Sequence, residues 1–161
     1  MIILLMGVSG AGKTSVGAQL ADDLGWPFYD GDTFHPKANV EKMRQDIPLT
    51  DADRFPWLSA LRRLIDDLAR QETSAIVTCS ALKQAYRDRL LDGPGDARLV
   101  YLKGDFALIR ERMQTRRSHY FKADLLRSQF DALEEPDSGL VIDIALPLEA
   151  MVQQIRQALG V

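Results

Sequence analysis

Ile2-Ile3-Leu4-Leu5-Met6-Gly7-Val8-Ser9-Gly10-Ala11-Gly12-Lys13-Thr14 is the stretch that decides the architecture. Five apolar residues pass directly into a glycine-rich turn, and Val16, Leu20 and Leu24 follow at helical spacing. The apolar run reads as a strand buried on both faces, the turn as a loop, and the remainder as an amphipathic helix. Residues Gly7 to Thr14 fit G-x-x-x-x-G-K-[ST] without a mismatch. A chain of this length meets that pattern by accident with a probability of roughly 0.005. Strand, glycine loop and helix together form the context that a phosphate-binding loop requires.

The chemistry explains the spacing. Polyphosphate oxygens must be ringed by backbone N–H groups, so Gly7, Val8, Ser9, Gly10, Ala11 and Gly12 need glycines that tolerate unusual φ and allow close approach. The helix opening at Lys13 turns its positive dipole end toward the anion. Lys13 is expected to reach the β- and γ-phosphates of ATP, and the Thr14 hydroxyl to ligate Mg²⁺.

Outward from this motif, four more apolar runs alternate with helical patterns: Pro27–Tyr29, Ala75–Cys79, Leu99–Leu102 and Leu140–Ile144. Trp57, Leu58, Leu61, Leu64, Ile65 and Leu68 stripe one helix, opened by Thr50 or Asp51 as N-cap. Leu148, Met151, Val152, Ile155 and Leu159 stripe the last. Such alternation predicts an α/β fold, a parallel sheet with helices on both faces, as a single domain over 1–161. Two polar excursions interrupt it. The Asp32–Asp53 stretch, within a substrate-binding segment of about 32–58, contains Pro36 and Pro48. The basic Arg110–Leu133 stretch is expected to carry a lid over about 112–132.

Composition narrows the classes of function. The chain has 161 residues, 46% hydrophobic and 27% charged, with a net charge of −3. That is ordinary for a folded soluble domain, and no basic excess exists to hold a nucleic acid. The single Cys79 excludes an internal disulfide and fits a reducing compartment. It reads as a buried small residue, since nothing around it would depress its pKa. The opening apolar run is too short to span a bilayer and lacks a signal peptide's basic leader, so no membrane association is expected and the location reads as cytoplasmic.

Many enzymes with this loop place an Asp after a later strand, but Ala75-Ile76-Val77-Thr78-Cys79-Ser80 carries none. Asp30-Gly31-Asp32 is the alternative. If the strand continues through Gly31, both carboxylates share one side. One would hold the Mg²⁺ water shell, and the other would accept a proton from a substrate hydroxyl. Lys103-Gly104-Asp105 imitates a guanine-reading motif, but Leu102 stands where Asn is needed. Asp105 therefore reads as a helix N-cap.

Arg112 and Arg116 share a helix face and are placed to stack on the base and neutralise phosphate oxygens, ahead of His119. A second polar group comprises His35, Asn39, Lys42, Asp51, Asp53, Arg54 and Trp57, with Trp57 either core or ligand platform. A third comprises Ser80, Lys83, Tyr86 and Arg87. Arg54, joined by Arg87, suits bidentate pairing with a carboxylate, and Ser80 either caps the next helix or meets substrate.

These residues resemble the bacterial gluconokinases. The likeness runs through Gly7–Thr14, Asp30-Gly31-Asp32 with His35-Pro36, Asn39, Glu41-Lys42-Met43, Asp53-Arg54 and Pro56-Trp57-Leu58. It continues in Cys79-Ser80-Ala81-Leu82-Lys83, Tyr86-Arg87-Asp88, Leu102–Phe106, Arg112, Arg116, His119, Phe121 and Ser128-Gln129-Phe130, covering essentially the whole chain. The C-S-A-L-K run with D-G-D-x-x-H-P is the specific part. Tyr120 departs, standing where Phe is expected.

The resemblance implies ATP-dependent phosphorylation of the 6-hydroxyl of D-gluconate. It also implies a fold like that of shikimate kinase, with strand order 2-3-1-4-5 and a mobile lid, and a homodimer. By that likeness Asp30 sits in the Mg²⁺ shell and Asp32 beside the attacking hydroxyl. Lys13 and Arg116 balance charge, while His35, Lys42, Arg54, Ser80, Lys83, Arg87 and His119 hold substrate. The competing readings are a shikimate-type or other small-molecule kinase, and a nucleotide-binding module without transfer activity.

Overall fold

The computed structural model describes residues 1–161 except 46, 94–95 and 116–122, and residues 123 and 124 by backbone only. Strand β1, Ile2–Met6, is buried along its whole length. It pairs in parallel with β3 (Ala75–Thr78) on one side and β4 (Ala97–Lys103) on the other. β2 (Phe28–Asp30) and β5 (Leu140–Asp143) form the edges, so the order among the described residues is β2-β3-β1-β4-β5.

The expected strands all appear, with shifted ends. β2 begins one residue later than expected, at Phe28, because Pro27 has no N–H to give the ladder; its carbonyl still accepts from Ile76 N–H at 2.9 Å. β4 extends two residues earlier and one later than the apolar run Leu99–Leu102, because Arg98 and Lys103 keep their side chains exposed while their backbones pair.

Alternation along β1 divides the interior. Ile3 and Leu5 join Val100, Leu102 and Ile142 beneath α1 (Lys13–Leu24) and α7 (Leu148–Leu159), whose Val16, Leu20, Met151, Val152 and Ile155 meet them. Ile2, Leu4 and Met6 face α3 (Asp51–Arg70) through Trp57, Leu58, Leu61, Ile65 and Leu68. Each such aliphatic side chain contributes about 1.5–3 kcal/mol by leaving water, which is why the short β1 holds the centre. Of the two expected caps for α3, Thr50 is the one used. Its hydroxyl accepts from Asp53 N–H at 3.2 Å, and its own N–H donates to Asp53 Oδ2 at 2.9 Å. Two orphan donors are thereby satisfied.

The remaining helices are α2 (Lys37–Arg44), α4 (Gln84–Leu91), α5 (Phe106–Thr115) and α6 (Ala123–Ala132). Asp105 caps α5 as expected, accepting Leu108 N–H at 2.7 Å. Ser80 does not cap α4. The N-cap there is Lys83, and Glu134 accepts the Gln84 N–H at 2.6 Å. No described helix is long and apolar enough to cross a membrane.

Candidate active site at the ends of the strands

The carboxyl ends of β1, β2 and β3 bring the sequence motifs together, as parallel α/β sheets do. Between β1 and α1 the loop bends through Gly10 at φ +81° and Gly12 at φ +94°, a region costly for any residue with a Cβ. A Cβ on Gly12 would meet open space, so there φ alone demands glycine, whereas one on Gly10 would also strike the Met113 side chain of α5 at 2.8 Å. Lys13 folds back over the loop, its Nζ donating to Gly7 O at 2.9 Å and Val8 O at 3.1 Å. Burial pushes the Lys13 ammonium below its usual pKa, and the charges of Asp32 and Asp30 oppose that shift.

Asp30 is the junction between this loop and β2. Its Oδ2 accepts from the Thr14 hydroxyl at 3.4 Å. Its Oδ1 accepts from Thr78 Oγ1 at 3.3 Å and from Asp32 N–H at 3.0 Å. The last bond corrects one expectation: the strand does not continue through Gly31. Asp30 instead caps a 3-10 turn over Gly31–Phe34, because its own carboxylate captures the Asp32 amide. Gly31 is needed where it stands, since a Cβ would lie 2.0 Å from Thr78 O. The turn still leaves Asp32 exposed and close enough to act electrostatically on both Lys13 and His35.

The substrate segment packs against the start of α3. His35 stacks on Trp57 with ring centroids 4.2 Å apart and 15° between planes. Trp57 is buried in the core, its indole N–H donating to Gly31 O at 2.7 Å. Lys42 is engaged by Asp53 at 2.7 and 2.9 Å, which with the Thr50 bonds lowers the Asp53 pKa to about 2. Nearby, Arg54 lies 3.7 Å and Lys83 3.1 Å from Asp51 Oδ1, and the Tyr86 hydroxyl donates to the same carboxylate. Two cations around one carboxylate leave an excess positive charge, suited to an anionic group.

Arg87 is not beside Arg54. It is 1% exposed, and its guanidinium donates to Ala81 O at 3.0 Å, Leu82 O at 3.1 Å and Gln84 Oε1 at 2.6 Å. It braces the loop after β3, including Ala81 at φ +45°, and with it the approach to Lys83. Ser80 sits at the base of the phosphate loop, its carbonyl 3.4 Å from Gly7 N. Cys79 is buried, and burial pushes its thiol up to about 12, so it is no nucleophile.

Arg112 gives its guanidinium to Ile144 O at 2.5 Å, beyond the end of β5. Arg116 and His119 lie outside the described residues, as does most of the central part of the expected lid. Two contributors escaped the sequence reading, Thr78, which steadies Asp30, and Gln129 of α6, which reaches the Ser9 amide, whereas Asn39, expected in one polar group with His35, does bond that ring. Thr78 offered one signal, as a polar residue closing an otherwise apolar run. Among the described residues no cluster of three His, Cys, Asp or Glu side chains forms a closed metal cage. Thr14 and Asp30 are hard oxygen donors at the phosphate loop, the partial set that suits Mg²⁺ shared with phosphates and water.

Comparison with known proteins agrees with this arrangement. Residues 2–136 match the AAA domain family. The chain is 44% identical over 155 residues to the thermoresistant gluconokinase of Escherichia coli (strain K12), covering 94% of this chain and 89% of that protein. The crystal structure of a gluconokinase from Sinorhizobium meliloti 1021 superposes with a TM-score of 0.89 at 41% identity, covering 98% of this chain and 90% of the other. Shikimate kinase from Aquifex aeolicus shares the fold at a TM-score of 0.66 and 20% identity, over 99% of this chain and 96% of the other. With a P-loop kinase fold, the strand order 2-3-1-4-5 and relatives matching nearly end to end, the chain belongs to the gluconokinase family.

Proposed function

We propose that this protein is an ATP-dependent gluconokinase that phosphorylates the 6-hydroxyl of D-gluconate, giving 6-phospho-D-gluconate and ADP. The observation that supports this most is Asp32, whose charge acts on Lys13 of the phosphate loop and on His35 of the substrate segment. A proton acceptor is useful only where the two reactants meet.

The backbone amides of Gly7–Gly12 would hold the polyphosphate, and Lys13 would leave its two loop carbonyls to follow the terminal phosphoryl. Thr14 and Asp30 would hold Mg²⁺, which supplies charge neutralisation between the phosphates when bound. Asp32 would orient the 6-hydroxyl and take its proton as the new O–P bond forms and the bond to ADP breaks. Arg54 and Lys83, with their excess charge around Asp51, suit the substrate carboxylate at the far end of the polyol. Arg112 and Arg116 are assigned to the nucleotide and His119 to the substrate. The proposal includes a homodimer working in the cytoplasm, the dimer being read by light scattering.

A coupled ADP-release assay over gluconate, shikimate and nucleoside monophosphates tests the reading. Turnover with gluconate alone is expected. Preference for shikimate or a nucleotide, or ATP binding without any phosphorylated product, would overturn it.

A further inference from the structure

Asn39 lies on α2, 3% exposed, and bonds two groups at once. Its side-chain nitrogen stands 2.8 Å from the carbonyl oxygen of Asp53 and 3.2 Å from Nδ1 of His35. A peptide carbonyl can only accept, so the amide atom facing it is the NH₂ nitrogen. That nitrogen has a second hydrogen, and His35 Nδ1 is where it goes. Nδ1 therefore accepts. A neutral imidazole that accepts at Nδ1 carries its own proton at Nε2, and an imidazolium would set two donors against each other.

The surroundings reinforce this. The ring plane is held by Trp57, which is itself pinned to Gly31 O. Burial lowers the His35 pKa, Arg54 of α3 acts in the same direction, and Asp32 of the 3-10 turn opposes them.

We propose that Asn39 is a positioning residue that locks His35 in the neutral Nε2–H form, so that the ring offers a fixed, uncharged hydrogen-bond donor to a substrate oxygen beside Asp32. This rests on the reading of His35 as part of the gluconate pocket. The device is useful because a fixed donor left unpaired penalises analogues that lack the matching oxygen.

The chain has two histidines, so the form of the ring can be read directly. In long-range proton–nitrogen spectra of the unliganded protein near neutral pH, with His119→Gln giving the assignment, His35 should show an unprotonated Nδ1 and a protonated Nε2. An Nδ1–H form, an interconverting mixture or an imidazolium would overturn the proposal. Asn39→Asp, which can only accept, should invert the form and raise the KM for gluconate about tenfold, with the KM for ATP unmoved. Should that variant fail to fold, Asn39→Ala should give a mixture of forms and a smaller rise. An altered ring form with an unaltered KM for gluconate would remove His35 as a donor to substrate. Failure of the wild-type protein to phosphorylate gluconate would strike the gluconokinase reading instead, separately from the ring form.

Discussion

Gln129 accepts a hydrogen bond from the backbone N–H of Ser9 at 2.6 Å, joining positions 120 residues apart. A helix from the far end of the chain thus steadies the phosphate loop. The contact is reinforced where Phe130 meets Phe106 edge to face at 5.6 Å. Gln129→Ala should lower the free energy of unfolding by about 0.5–1.5 kcal/mol, read by urea titration. Gln129→Glu keeps an acceptor but sets a negative charge beside the loop, and should raise the KM for ATP about tenfold. An unchanged KM in the Glu variant would place α6 outside the nucleotide's field.

Asp32 is exposed, and its backbone N–H is already held by Asp30, so replacing its carboxylate should spare the local turn. Asp32→Asn should reduce kcat by about 10²–10⁴ while the KM for ATP stays near its original value. Loss of ATP affinity in the same proportion would mean that the carboxylate serves the loop rather than the hydroxyl.

Arg54 reaches Asp51, Tyr86 and the vicinity of His35. If it meets the substrate carboxylate, Arg54→Ala should raise the KM for gluconate by about 10–100-fold, the range expected for losing a charged hydrogen bond. Arg54→Lys should recover part of that loss. Steady-state kinetics with gluconate varied at saturating ATP would show it, and an unaltered KM would take Arg54 out of the pocket.

Asp53 accepts from Lys42 and from Thr50, which hold its pKa near 2 against an ordinary 3.8. A carboxylate with a depressed pKa in the folded state stabilises the fold above its unfolded pKa. That contribution fades as pH falls through the folded one. Asp53→Asn should therefore lower Tm at neutral pH, and the gap to the wild type should close on acidification from about 4 toward about 2. A constant gap across that window would show that Lys42 and Thr50 do not depend on its charge.

Sequence alone was most informative where function is carried by the main chain or by residues near each other along it. The phosphate loop is legible because its ligands are amides, so that glycine spacing reports the geometry. Thr50 and Asp105 were legible because a cap and its helix are contiguous. Contacts across the sheet were not. Thr78 reaches Asp30 and Gln129 reaches Ser9 only after the strands have been ordered. Arg87 shows the limit from the other side: beside Lys83 and Tyr86 it reads as one more substrate cation, yet it turns inward to loop carbonyls five and six residues before it. The turn at Gly31 was missed because alternation assumes that side chains do not compete for backbone amides, and Asp30 does.

The position of β1 also bears on how the protein comes to be made. This strand is synthesised before both of its neighbours in the sheet, residues 75–78 and 97–101. A run of Ile2-Ile3-Leu4-Leu5-Met6 must therefore wait, without its sheet partners, until both later segments have been translated. Such late, long-range pairing slows folding and invites aggregation, so the nascent chain is a natural client for chaperones that shield this apolar strand.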